Sequence, residues 1–255
     1  MKQGDFSKLA QAYRHRTGYS QSILKLLSSY VRSELSCEQL KVADVGAGTG
    51  KLTEQLYELG FDVSAVEPND AMREEGILST NAYDISWSKG SGEETGLKTN
   101  SLDWVFMASS FHWTTPALSL PEFSRILKPG GFLSVLWNPR DLENSPLQKA
   151  IDQLINKIAP NIQRVSSGSS KYTQNIEKIL TSTNHFNNVI FTEGYHQVNM
   201  GKDRYMGAWE SVNDIQSQAG QDKWHEILLG IRKEIDNLDE VIVPYKTRAW
   251  TVQKS

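Results

Sequence analysis

A β-prone run, Lys41–Val45, leads directly into Gly46-Ala47-Gly48-Thr49-Gly50, and a helical pattern begins at Lys51. Glycines at such a point admit positive φ and let a ligand lie against the backbone with no Cβ in the way. The helix behind them offers free N–H groups. A dinucleotide loop would read Gly-x-Gly-x-x-Gly and set a pyrophosphate on that helix, but here the third glycine comes one residue early. Asp44, just before the loop, would repel a pyrophosphate; it suits an ammonium group, or a hydrogen bond that orients the loop. A phosphate loop ending in Gly-Lys-Ser/Thr fails at Leu52, which follows Gly50-Lys51. A second carboxylate, Glu67, closes the next β-prone run and is suited to accept both hydroxyls of a ribose.

Other residues could act on an acceptor. His112 follows a strand ending near Ala108, and an imidazole with an ordinary pKa near 6.5 could take a proton from a hydroxyl or amine. Phe111, Trp113, Trp137, Tyr205 and Trp209 fall near strand ends or in the C-terminal half and could wall a pocket for an apolar or planar group. Arg14, Arg16 and Arg140 could bind a carboxylate, with Arg16 the leading choice. The five histidines, His15, His112, His185, His196 and His225, are scattered, and Cys37 is the single cysteine. No metal site is therefore expected.

These groups need a scaffold. Residues 6–36 read as helix, with Ile23, Leu24, Leu27, Tyr30 and Val31 at three- and four-residue spacing. Lys51–Leu59 reads as helix stopped by Gly60, Phe61–Val66 as a strand closed by Pro68, and Met72 opens another helix. Leu102–Met107 is a buried strand, Pro121–Leu127 a helix, and Phe132–Trp137 a strand after the turn at residues 128–131. A long helical insertion spans about 145–180 and contains the serine-rich loop Arg164–Ser170. Asn188–Met200 is β-rich, two helices are expected over 203–237, and Glu240–Gln253 is a last strand. Strands alternating with helices predict an α/β, doubly wound and mostly parallel sheet. The two late strands predict an antiparallel edge.

The chain has 255 residues, with 27 Lys+Arg against 30 Asp+Glu and a formal net charge of −3. That length suits one large domain with an insertion. The near-neutral charge gives no global reason to bind nucleic acid or an anionic membrane, and neither partner is expected. No apolar run approaches the roughly 18 residues of a membrane helix. Met1–Asp5 leads into polar sequence with no apolar signal region. With a single cysteine, a reducing, cytoplasmic setting is expected, as a monomer or homodimer.

Val42-Ala43-Asp44-Val45-Gly46-Ala47-Gly48-Thr49-Gly50 resembles the first motif of class I S-adenosylmethionine-dependent methyltransferases, and Val66-Glu67-Pro68 with Met72-Arg73 resembles their acidic second motif. Gly90–Leu97, Asp103-Trp104-Val105, Phe111-His112-Trp113 and Arg125–Gly131 continue the series in order. Phe6 with Arg16-Thr17-Gly18-Tyr19 is similar to the N-terminal segment of the trans-aconitate methyltransferase-like subgroup, with Thr17 in place of its proline.

The resemblance implies a seven-stranded, Rossmann-like methyltransferase fold divided into an N-terminal helical segment (1–36), a cofactor core (37–140), a helical lid (141–187) and C-terminal strands and helices (188–255). It implies S-adenosylmethionine as cofactor. Gly46, Ala47 and Gly48 would line its methionyl part, Asp44 would meet the amino group or orient the loop, Glu67 would hold the ribose, and Met72 would pack on the adenine. Ser91 stands where the family often has Asp, with Gly92 and Glu93 as neighbouring contacts. Arg16, Pro68, Ala108 and Ser109 complete the cofactor set. Tyr19, Phe111, Trp113, Trp137 and Arg140 are the acceptor candidates, with His112 as the candidate base. The expected activity is O-methylation of a small molecule at a carboxylate or hydroxyl. The alternatives are N- or C-methylation of a small metabolite, or cofactor binding without turnover. A nucleic-acid methyltransferase would be expected to carry an Asn/Asp-Pro-Pro-Tyr/Phe motif, which the chain lacks.

Overall fold

A computed structural model describes residues 6–7, 9–163 and 173–255. The start at Met1–Asp5 and the loop Arg164–Ser170 lie outside the described residues. One seven-stranded sheet organises the rest: β1 (Lys41–Val45), β2 (Asp62–Val66), β3 (Ser86–Ser88), β4 (Leu102–Ala108), β5 (Leu127–Trp137), β6 (Phe186–Met200) and β7 (Val241–Lys254), in spatial order β3-β2-β1-β4-β5-β7-β6. The pairs from β3 to β5 are parallel, whereas β7 runs antiparallel to both β5 and β6. The fold is therefore the α/β doubly wound sheet with an antiparallel edge. Its strand order reverses between β1 and β4, the place where such sheets bind ligands beyond the strands' carboxyl ends.

Central strands buried on both faces must be apolar throughout. In β4 every residue from Leu102 to Met107 is buried, including Asp103, which accepts the Lys41 N–H at 2.8 Å and the Lys128 ammonium at 2.7 Å. One core, around Val105, Phe123 and Val135, lies on one face; a second, around Leu27, Leu56 and Phe106, lies on the other. A third apolar cluster joins the helix Pro146–Ile158 to two later helices, Lys202–Glu210 and Gln221–Glu234, through Ile151, Ile155, Tyr205, Trp209 and Ile227.

Several expectations shift in detail. The helix expected over 6–36 is broken into α1 (Ala10–Tyr13) and α2 (Gln21–Leu35). Tertiary bonds impose the break: the Tyr19 N–H donates to Gln55 Oε1 and Gln55 Nε2 donates to the Tyr19 carbonyl, both at 2.8 Å. The helix read from Pro121 begins at Pro116, where a missing N–H costs nothing, and Pro121 lies inside it. Three helices, not two, fill 202–234, the third starting after Gly220 at φ 78°. The three-residue β3, Ser86–Ser88, is too short to carry a periodic signal in the sequence. No described helix is long and apolar enough to cross a membrane.

Candidate functional site

Three glycines shape the turn after β1, with φ of 71° at Gly46, 59° at Gly48 and 81° at Gly50. A Cβ on Gly46 would come within 2.7 Å of Ser110 Cβ, so no side chain fits there. At Gly48 the nearest atom to such a Cβ is Met72 Cε at 3.4 Å, and what the glycine supplies is the left-handed backbone and an open approach. The Gly46 and Ala47 N–H groups both donate to the Val66 carbonyl, tying the loop to the end of β2.

Glu67, the residue after β2, accepts the Gly48 N–H at 2.8 Å on Oε2 and the Asn69 N–H at 2.9 Å on Oε1. The carboxylate is thus fixed in place, yet each oxygen retains a further lone pair. Burial raises its pKa, opposed by those two N–H groups and the Arg73 charge. Asp44 at the end of β1 accepts the Thr53 hydroxyl at 2.7 Å on Oδ2, while Oδ1 is buried with no hydrogen-bond partner among the described residues. Burial pushes its pKa up to about 7. A buried, half-satisfied carboxyl is costly, and an ammonium group from a ligand would relieve it.

Both acids face one cavity of about 650 Å³. Its walls include Gly46, Ala47, Gly48, Pro68, Met72, Ser91, Gly92, Glu93, Ala108, Ser109, Arg16, Tyr19, Trp113 and Arg140, so most of the residues singled out from sequence meet here. Ser91 Oγ accepts the Glu93 and Glu94 N–H groups at 3.2 Å, shaping the loop, and Glu93 in turn accepts the Thr115 N–H at 2.7 Å. Ser109, at φ 54°, shares a 3.0 Å hydrogen bond with the Tyr19 hydroxyl. Phe6 meets Tyr13 and Trp113 edge to face, with centroids 5.5 and 5.8 Å apart, so the N-terminal segment forms part of the cleft's outer wall.

Phe111, His112 and Trp137 are not on that wall. Phe111 and Trp137 are fully buried in the sheet's core. The His112 Nδ1 accepts the Trp137 indole N–H at 3.3 Å, and because an indole only donates, the neutral ring carries its proton on Nε2. Burial pushes its pKa down to about 4. Arg14 and Tyr205 are also absent from the wall, whereas Trp209 is present. The wall further holds Tyr13, Asn138, Gln148, Asp152, Val212 and Tyr245, which the sequence analysis did not single out. They come from distant segments and carry no local motif.

Residues 43–135 match a family described as a methyltransferase domain. An uncharacterized methyltransferase of Mycobacterium tuberculosis is 45% identical over 101 residues, 40% of this chain and 41% of that relative, so the likeness spans about two fifths of its length. An uncharacterized methyltransferase of Schizosaccharomyces pombe is 25% identical over 239 residues, 89% of each chain. Among solved structures, a candidate type II methyltransferase from Anaeromyxobacter dehalogenans superposes with a TM-score of 0.61 at 18% identity, covering 92% of this chain and 97% of that one. The fold is the Rossmann-like fold of methyltransferases.

Proposed function

We propose that this chain, with a methyltransferase domain at its centre, transfers the methyl group of S-adenosylmethionine to an oxygen of a small molecule, at a carboxylate or a hydroxyl. The observation that carries the reading is the pairing of Asp44 and Glu67 on one cavity wall: one buried carboxyl oxygen lacks a partner, and a second carboxylate is held open by two backbone N–H groups. Those groups fit the amino and ribose ends of the cofactor. Asp44 Oδ1 would take the ammonium group, Gly46, Ala47 and Gly48 would lie along the methionyl chain, and Glu67 would accept the ribose hydroxyls. Pro68 and Met72 would face the adenine, Ser91, Gly92 and Glu93 its edge, Ala108 and Ser109 the sulfur, and Arg16 the carboxylate.

When bound, S-adenosylmethionine supplies a positively charged methyl donor with a good leaving group, so the protein's task is alignment and exclusion of water. Tyr19, fixed by Ser109, and Trp113, packed against Phe6, would confine an acceptor beside the glycine loop. A carboxylate needs no base, which accords with a His112 ring that is neutral at pH 7 and behind the wall.

Methyl-labelled S-adenosylmethionine incubated with the protein and a metabolite extract tests the reading. Label in a small-molecule ester or ether upholds it. A labelled amine or carbon product moves the acceptor atom, and binding without transfer makes the protein a carrier of the cofactor. Nicotinamide-dinucleotide binding with no affinity for S-adenosylhomocysteine overturns the whole assignment.

A further inference from the structure

Two arginines line the cavity, and their surroundings differ. Arg16 is already engaged: Nε donates to Ser211 Oγ at 2.7 Å, Nη2 donates to the Ser211 carbonyl at 3.0 Å, and the guanidinium lies 3.9 Å from the Tyr13 ring centroid. Among the described residues Arg140 has no such bonds. Its guanidinium stacks 4.0 Å from the Trp209 ring centroid, its Nε is buried with no acceptor, and no carboxylate among the described residues pairs with it. Its backbone is nonetheless pinned. Arg140 bridges to Tyr245, the Asp141 N–H donates to the Pro244 carbonyl, and the Lys246 N–H donates to the Pro139 carbonyl, each of these hydrogen bonds 2.9 Å long. Trp209 is held in turn by Tyr205, whose hydroxyl accepts Gln148 Nε2 at 2.8 Å.

We propose that Arg140, stacked on Trp209, is the receptor for an anionic carboxylate of the acceptor, with Ala208, Val212 and Leu142 against its apolar body. A planar guanidinium fixed on an aromatic face presents a rigid fork of donors that matches a carboxylate. A partly buried arginine with an unsatisfied Nε gains most from a ligand that brings the missing acceptor. Asp152, on the same cavity wall, accepts Asn156 Nδ2 at 3.1 Å and adds one negative charge. The wall therefore favours a singly charged head over a dianionic phosphate. This inference rests on the methyltransferase reading for the word acceptor, but the anion site stands or falls separately.

The test titrates protein saturated with S-adenosylhomocysteine with phenylacetate, phenyl phosphate and neutral phenylacetamide, followed by ligand-observed NMR. Phenylacetate is expected to bind at least tenfold more tightly than phenylacetamide and more tightly than phenyl phosphate. Arg140→Gln is expected to weaken phenylacetate at least tenfold, and Arg140→Lys by less, in proteins whose melting temperatures confirm folding. Equal binding of acid and amide, indifference to Arg140→Gln, or no phenylacetate binding by the wild type overturns the proposal. Tighter binding of phenyl phosphate than phenylacetate overturns the choice of carboxylate. If S-adenosylhomocysteine does not bind, the same titrations on the ligand-free protein still decide the anion site, and only the methyltransferase reading falls.

Discussion

The two ends of the cavity are built in opposite ways. At one end, Asp44, Gly46–Thr49, Glu67, Met72 and Ser91–Glu93 come from short stretches at the ends of β1 and β2 and after β3, all within one contiguous run of chain. Its titratable side chains are acidic and its geometry is held by backbone hydrogen bonds, such as Gly48 and Asn69 N–H on Glu67. At the other end, Tyr13, Arg140, Gln148, Trp209 and Tyr245 converge from opposite ends of the sequence, and aromatic stacking holds the arginine. The first end is a property of topology, since any sheet of this strand order exposes those strand ends together. The second is a property of this chain's added helices.

The sharpest way to break the comparison is at the loop. Gly48→Val forces a β-branched residue to φ 59°, and its side chain would occupy the ligand's approach. The strain costs about 1–2 kcal/mol, so the protein is expected to fold while affinity for S-adenosylhomocysteine drops below detection in calorimetry. A folded variant with unchanged affinity would remove the loop from the site.

Glu67→Ala comes next. Losing hydrogen bonds to a charged group weakens cofactor binding by about 1.5–3 kcal/mol. From sequence alone, folding is expected to be little affected by its loss if the carboxylate is solvated in the empty site. The structure changes that expectation, because Glu67 is buried and accepts two backbone N–H groups that the alanine would strand. A stability loss of about 1–3 kcal/mol is therefore expected as well. Glu67→Gln, which keeps an acceptor for one N–H, should recover part of the melting temperature but less of the affinity.

Legibility divides along the same line. Spacing exposed the glycine turn, Asp44 and Glu67, because strand, loop and helix are adjacent in sequence and each leaves a local pattern. The alternation of strands and helices likewise exposed the parallel sheet and its antiparallel edge. Tyr13, Gln148 and Tyr245 left no mark, since nothing local distinguishes an aromatic or amide that faces a cavity from one that faces a core. Phe111 and Trp137 show the reverse error: aromatics near strand ends, read as pocket walls, are fully buried in the core.

A pH titration probes the acidic end more gently. Asp44 has a folded pKa near 7, raised by burial. If a ligand ammonium pairs with its ionised form, affinity for S-adenosylhomocysteine should fall about tenfold for each pH unit below 7. Asp44→Asn should abolish that slope. For the ligand-free protein the sign is opposite: a raised carboxyl pKa favours the protonated folded state, so this group's stabilisation is present at low pH and is lost as pH rises through about 7. A wild-type affinity that is flat from pH 6 to 8 would break the link between Asp44 and the ligand.

The smallest effect is expected at His112, which lies behind the cavity and belongs to neither end. Were it the general base, His112→Ala would lower kcat by about 10²–10⁴-fold and erase a rising limb of the pH–rate profile. The geometry argues otherwise. Nδ1 is occupied by the Trp137 N–H, and burial holds the pKa near 4, so the ring is neutral across pH 6–8 and has no titration there to offer. The substitution removes the ring nitrogen that accepts the Trp137 N–H, a loss of about 0.5–1.5 kcal/mol of stability. Because the depressed pKa favours the neutral folded form, the histidine's own stabilisation is present above pH 6.5 and is lost as pH falls toward 4. The expected result is a lower melting temperature, a kcat changed less than about tenfold, and a wild-type kcat, measured at saturating cofactor, that is flat from pH 6 to 8. A rising limb in that window that vanishes in His112→Ala would make the ring the base and the acceptor a hydroxyl. The anionic receptor at Arg140 would then hold the acceptor by a group other than the one that is methylated.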